Sequence, residues 1–327
     1  MAKVVLGFAS SHGPTIKTLP GEWDRIVERD KKDPRYDYQE LLRNANPAIA
    51  KEITLQKKQE RYDKCQVGIK KLAEVVARSA PDVAVVVSNP HGILPDDPQT
   101  VFGIFCGDQL SGRSPERPGG GSERRMAALT GPPPMTTSRP RRERKDFPGF
   151  PKLANHLIDS LIDEGFDIAS SNQFRAEHGL DEAFSTFYEL YQLDGTVPMV
   201  PFTLSRYLPS QAKSGRCYAL GQALRRAIES WKEDKRVVIM ASGGLSHQII
   251  DEELDHQVID ALQEKDVQRL CSLPRDRLNR APGTPEILNW VTLAGAMETS
   301  PMTLVDYVPC YRSPAGTGHG VTFAYWG

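Results

Sequence analysis

The run Val83-Ala84-Val85-Val86-Val87 constrains the fold more than any other stretch of this chain. Four of its five residues are β-branched and all are apolar, which favours an extended strand covered on both faces. Pro81 precedes it, and Ser88-Asn89-Pro90-His91-Gly92 turns the chain after it. A strand buried on both faces belongs to a sheet that carries helices on either side. The run is also far too short to cross a bilayer.

Three other stretches follow the same pattern. Val4 to Ser10 ends at Ser11-His12-Gly13-Pro14, and Arg236 to Ala241 ends at Ser242-Gly243-Gly244-Leu245-Ser246-His247. Phe166 to Ser170 leads to the loop that bears His178. Helical text lies between the strands. From Asp37 to about Ser79 it reads as one helical stretch, with Tyr62, Cys65, Ile69, Leu72 and Val76 on one face. Pro151 to Glu164 and Arg216 to Trp231 are two further amphipathic helices, the second with Cys217, Leu220, Leu224 and Ile228 on its stripe. This alternation predicts an α/β protein with three α/β/α layers, a central, mostly buried mixed sheet and an active site at the strand C-terminal ends. Residues 1–327 are expected to form a single catalytic domain. The stretch 110–145, with Gly119-Gly120-Gly121, Pro132-Pro133-Pro134 and many arginines, lacks a core pattern and reads as a flexible insertion or lid.

Composition narrows the partners. Lys plus Arg number 41 and Asp plus Glu 42, so no overall field draws the chain to nucleic acid or to an anionic membrane. A small-molecule partner is expected, with neither nucleic acid nor membrane. Met1-Ala2-Lys3 and the short apolar run after it do not read as a signal peptide, so the expected location is cytoplasmic. The five cysteines are scattered without a C-x-x-C pair and are expected as reduced, mostly buried thiols.

Chemistry is expected from the histidines. Of seven, His12, His91, His178 and His247 follow the ends of expected strands, where open α/β sheets bind ligands. A lone histidine is ordinarily structural, but two in corresponding strand-end loops make His12 and His91 the best metal-binding pair. Two histidines and one carboxylate suit a divalent iron that keeps open positions. Spacing does not choose the carboxylate. Glu286 is a candidate, yet Gly283-Thr284-Pro285-Glu286 also reads as a helix start with Thr284 as N-cap, where an acidic side chain serves the helix dipole. His247, on a glycine-rich turn, fits a general acid or base. Ser246 with His247 is a poor nucleophile pair, because adjacent side chains rarely face each other and no G-x-S-x-G elbow is present. His178 could bind substrate, set a pKa or serve the structure. His156 and His256 read as packing residues, and His319, between two glycines, stays unassigned.

Taken together, Ser-Ser-His12-Gly-Pro, Asn89-Pro-His91, Glu177-His178-Gly, Gly-Gly-Leu-Ser-His247-Gln and Gly-Thr-Pro-Glu286 with Trp290 and Gly295-Ala-Met occur in an order that resembles the class III extradiol ring-cleaving dioxygenases. The branch they are most similar to is the catalytic (beta) subunit of protocatechuate 4,5-dioxygenase and gallate-type enzymes. The resemblance covers nearly the whole chain outside residues 110–145. It implies Fe(II) held by His12, His91 and Glu286, His247 as acid/base, His178 near the substrate and Asn89 as a substrate-binding residue. It implies cleavage of a catecholic aromatic acid with O2, both oxygen atoms entering the product, and it allows a homodimer or a small companion subunit. Arg175 or Arg206 could pair with a substrate carboxylate. A zinc-dependent hydrolase on the same His, His and Glu set, and a non-catalytic member of the fold, are the alternatives.

Overall fold

A computed structural model describes residues 1–90, 100–111, 146–173, 180–192 and 194–327. His91, Arg175 and His178, together with nearly all of the expected insertion, lie outside the described residues.

The protein is α/β, built on a large mixed central sheet flanked by helices. Its strands are β1 (Lys3–Ser10), β2 (Val83–Ser88), β3 (Phe102–Phe105), β6 (Ile168–Ser171), β7 (Met199–Leu204), β8 (Arg236–Ser242), β9 (His247–Ile249), β10 (Met302–Tyr311) and β11 (Thr317–Trp326). β4 (Gln109–Leu110) and β5 (Phe147–Pro148) pair separately. Strand order in the large sheet is β10-β11-β1-β8-β2-β7-β3-β6, and β9 pairs with β11. β1, β8, β2 and β7 run parallel, with Ser10 opposite Ser242, Val87 opposite Ala241 and Ser88 opposite Thr203. Their C-terminal ends therefore open on one edge, and the residues just beyond them are brought together whatever their distance in sequence.

The expected double burial of the Val83–Val87 run follows from period-two geometry. Val83, Val85 and Val87 enter one core with Ile239, Phe202, Leu157, Leu220 and Trp290. Ala84 and Val86 enter the other with Phe8, Met240, Leu72 and Phe323. Helices Pro151–Asp163, Ser214–Ser230, Glu252–Glu264 and Ile287–Ala296 contribute to the first core, and Leu55–Ser79 to the second. Every residue of Ile287–Ala296 is buried, as a helix apolar on all sides requires.

Two local expectations are corrected. The stretch from Asp37 to Ser79 is three helices, Tyr38–Asn44, Ile49–Glu52 and Leu55–Ser79. Pro47 disfavours helical backbone at the residue before it, and Thr54 caps the last helix by accepting from the Lys57 amide at 3.3 Å. The strand expected from Phe166 begins at Ile168, because Gly165 (φ +81°) ends the preceding helix and the Phe166 amide bonds back to the Leu161 carbonyl at 2.9 Å. The antiparallel pair β10 and β11, which closes one side of the sheet, has no counterpart in the sequence reading. All five cysteines are free: Cys65, Cys217 and Cys310 are buried, and Cys106 and Cys271 are half-buried. Among the described residues no helix is long and apolar enough to cross a membrane.

Candidate metal centre

Beyond β8 the chain turns through Gly243 (φ +102°) and Gly244 (φ +74°), conformations that residues with a Cβ rarely adopt. A Cβ on Gly243 would stand 2.0 Å from Glu286 Oε2 and 2.8 Å from His12 Cε1. The glycine thus lets the backbone pass directly beneath a carboxylate and an imidazole. Glu286 closes the short 3-10 turn Thr284–Glu286 that enters the helix Ile287–Ala296. Thr284 is not the N-cap: Gly283 occupies that position, with no side-chain cap bond. Nor is Glu286 a solvated first-turn acid, for its side chain is fully buried.

That buried carboxylate is approached from four directions. His12 Nε2 lies 3.6 Å from Oε2, and the Gly244 amide donates to the same oxygen at 3.2 Å. His247 Nε2 lies 3.4 Å from Oε1, and Arg206 Nη1 donates to Oε1 at 3.2 Å. A buried carboxylate without such partners would cost several kcal/mol in desolvation.

The tautomers of both imidazoles follow from their other nitrogens. Ser242 Oγ gives its hydrogen to the Ala183 carbonyl, so it accepts from His12 Nδ1 at 3.1 Å. The proton is then on Nδ1, and the lone pair of Nε2 is directed toward Glu286. His247 Nδ1 donates to the Leu245 carbonyl at 3.2 Å, so in the neutral imidazole the lone pair is on Nε2. Burial lowers the pKa of His12, and the attraction of Glu286 offsets this only in part. A neutral imidazole oriented through its second nitrogen is the form in which histidine ligates a metal.

These residues fit a divalent metal. Two ligand atoms held at about 2.0–2.2 Å from a shared first-row metal stand 3 Å or more apart at ordinary angles. The separation of 3.6 Å between His12 Nε2 and Glu286 Oε2 is of that size. Two acceptors facing each other in a dry interior also call for a cation between them. The expected third donor, His91, lies outside the described residues, and no cluster of three His, Cys, Asp or Glu suited to a metal occurs among those described.

The remaining candidates have definite places. Asn89 is fully buried: its Nδ2 donates to the Leu204 carbonyl at 2.7 Å and its Oδ1 accepts from Asn289 at 3.0 Å. Asn289 also donates to the Ser242 carbonyl at 2.9 Å. The amide of Asn89 therefore ties the ends of β2, β7 and β8 to the helix that follows Glu286, where the sequence reading expected a substrate contact. Arg206, one of two arginines that could pair with a substrate carboxylate, donates to Glu286 and, at 2.7 Å, to the Tyr207 hydroxyl. Ser246 faces Asp255, not His247: its amide and hydroxyl bond the Asp255 carboxylate at 2.8 and 2.6 Å. A nucleophile pair of Ser246 and His247 has no geometry here. His156 bonds the Ala227 carbonyl at 2.8 Å, and His256 packs on Tyr307.

Two residues escaped the sequence reading. Ser242 orients His12, and its only signal was its place at a strand end. His319 is buried and stacked on His247, with ring centroids 4.5 Å apart.

A strand-end site in which histidine and carboxylate converge, on a mixed α/β sheet, offers donor atoms of the kind that suit a divalent metal. Over residues 46–321 the chain matches the family described as the catalytic LigB subunit of aromatic ring-opening dioxygenase, and it belongs to that family. It is 33% identical over 170 residues to a gallate dioxygenase of Pseudomonas putida, an alignment covering 48% of this chain and 49% of that one. It is also 33% identical over 99 residues to a 2,3-dihydroxyphenylpropionate/2,3-dihydroxicinnamic acid 1,2-dioxygenase of Azotobacter vinelandii, covering 29% of each. The chain thus matches about half the length of the first relative and under a third of the second. A solved structure of an uncharacterized Escherichia coli K12 protein aligns at 15% identity with a TM-score of 0.45, over 79% of this chain and 91% of that one.

Proposed function

We propose that the protein is a non-haem Fe(II)-dependent extradiol dioxygenase that opens the ring of a catecholic aromatic acid of the protocatechuate, gallate or methylgallate type. The observation that carries this reading is the convergence of His12 Nε2 and His247 Nε2 on the two oxygens of one buried carboxylate, Glu286. Family membership and the gallate dioxygenase relative support the reaction class and the substrate type.

In this reading His12, His91 and Glu286 hold the metal. When bound, Fe(II) supplies a template for diol and O2 and a conduit for electrons between them. The chain's own residues do the rest. Ser242 keeps His12 in the tautomer that ligates, and Arg206 with the Gly244 amide keeps the Glu286 carboxylate turned inward. His247, with Nδ1 fixed on the Leu245 carbonyl, accepts the proton of a substrate hydroxyl at Nε2 and returns it as general acid when the ring has opened. Burial of the site excludes bulk water from the reacting diol. His178 is assigned to the substrate side of the site.

The test is oxygen uptake. Protein purified anaerobically and loaded with Fe(II) is expected to consume O2 with protocatechuate, gallate or a methylated gallate and to give a ring-opened, absorbing product. The Zn(II)-loaded protein is expected to be inert. Absence of uptake with these and other catechols would refute the reading, and hydrolytic activity of the Zn(II) form would favour a hydrolase instead.

A further inference from the structure

His319 pairs directly opposite His247 across the antiparallel β9 and β11 strands. Their rings stack with centroids 4.5 Å apart and planes 12° from parallel, and both side chains are buried. Each ring also lies against a glycine. A Cβ on Gly13 would stand 2.1 Å from His319 Nδ1 and Cε1, and a Cβ on Gly283 would stand 2.1 Å from His247 Cδ2 and Nε2.

The backbone at these glycines does not demand glycine. Gly13 has φ −63° and ψ 164°, and Gly283 has φ −97° and ψ −23°, both open to any residue. What glycine provides at both positions is space, and the two imidazoles occupy it. Among the described residues His319 Nε2 has no hydrogen-bond partner, and the ring packs between His247 and Gly13. Among the described residues His247 is held at Nδ1 by the Leu245 carbonyl at 3.2 Å, and Glu286 Oε1 lies 3.4 Å from its Nε2. One such bond leaves the ring plane loosely defined, whereas a parallel ring 4.5 Å away defines it.

We propose that His319 is a positioning residue for His247: stacked between Gly13 and the acid/base imidazole, it fixes the plane in which His247 presents Nε2 to the substrate. The proposal rests on the reading of His247 as the proton-transfer group. Misplacing a reacting group by about 1 Å is enough to cost on the order of a hundredfold in rate. A flat ring at position 319 is the requirement, and its nitrogen atoms are not.

The experiment compares His319→Ala and His319→Phe in the full chain by two readouts. In the Fe(II)-loaded enzyme His319→Ala is expected to lower kcat about tenfold or more, with KM and iron content within about twofold, and His319→Phe to restore kcat to within about threefold of the parent. By NMR of histidine-labelled full chain without added metal, the parent is expected to show His247 as one Nδ1-protonated tautomer, assigned by its loss in His247→Ala. His319→Ala should give a mixture, and His319→Phe should not. If His319→Ala fails to fold, His319→Leu replaces it, filling the space without a flat ring. Unchanged kcat and unchanged His247 ring signals in the Ala or Leu variant would overturn the proposal, as would a Phe variant no better than Ala. A parent protein inert toward every catechol would overturn the dioxygenase reading, and the NMR comparison would still decide the role of His319.

Discussion

Arg206 Nη1 stands 3.2 Å from Glu286 Oε1, the same oxygen that His247 Nε2 approaches at 3.4 Å. One carboxylate is thereby shared between a partly buried guanidinium, two imidazoles and a backbone amide, and its orientation depends on all of them. Removing the guanidinium leaves a buried charge short of its partner, which typically costs about 3–5 kcal/mol. Arg206→Met is therefore expected to lower the denaturant midpoint of the metal-free protein substantially and to weaken Fe(II) binding tenfold or more. Added divalent metal should recover part of the stability, because it binds only the folded state. Wild-type midpoint and wild-type iron affinity in Arg206→Met would contradict the pairing.

Gly243→Ala tests the turn beneath the site. At φ +102° with a new Cβ 2.0 Å from Glu286 Oε2, alanine is strained in its backbone and displaces a candidate ligand. The strain alone is worth about 1–3 kcal/mol. The expected outcome is loss of iron from a protein that is still folded at room temperature, read by metal analysis beside circular dichroism. Gly165→Ala also carries a positive φ, +81°, but meets no atom within 4 Å. It should destabilise without changing iron content.

Asp255 predicts a pH dependence of stability. Burial pushes its pKa up to about 7, well above the ordinary carboxylate range, although Ser246 and Tyr307 donate to it. Below about pH 4 the carboxyl is protonated in both folded and unfolded chains and contributes no slope. Between about 4 and 7 the unfolded chain has released the proton and the folded chain keeps it. Unfolding then binds fewer protons in the product, so stability falls as pH rises through this window, by at most about 1.4 kcal/mol per pH unit from this one group. Asp255→Asn removes the titration. Urea unfolding from pH 5 to 8 should show the variant gaining stability relative to the parent as pH rises. A relative loss over that range would contradict the raised pKa.

Trp290 links the core to the site, its indole Nε1 donating to the Gly243 carbonyl at 2.7 Å from a fully buried ring. Trp290→Phe keeps much of the apolar volume but leaves that carbonyl without its donor, at a cost of about 1–3 kcal/mol. Its denaturant midpoint should fall accordingly, and a midpoint equal to the parent's would show that the bond contributes nothing.

What could be read from sequence follows from which interactions are local. Val83–Val87 and Leu72 carry their burial in composition and period, so the α/β layering and the helix stripes were legible. His12, Asn89 and His247 were legible as strand-end residues, because a glycine- or proline-rich turn follows each apolar run. Glu286 was legible only through the family resemblance, since its local context is that of any helix start and its contacts with Gly244, Arg206 and His12 are tertiary. Asn89, placed at the substrate by the resemblance, and Arg206, one of two arginines offered for a substrate carboxylate, carry no local sign of their hydrogen bonds to Leu204, Asn289 and Glu286. His319 had no periodic signal between two glycines, and its importance rests on strand register with His247. The break of the Asp37–Ser79 stretch was legible in Pro47 and Thr54 but was outweighed by the apolar period around it.

In the proposed mechanism His247 moves protons beside a metal it does not hold. Iron content and oxygen uptake, measured together on Fe(II)-loaded His247→Ala with gallate or protocatechuate, test it most directly. The predicted result is iron at the level of the parent with turnover reduced at least a hundredfold, in contrast to His12→Ala, which should lose iron and activity together. Oxygen uptake by His247→Ala at the rate of the parent would rule out the proton-transfer role of His247.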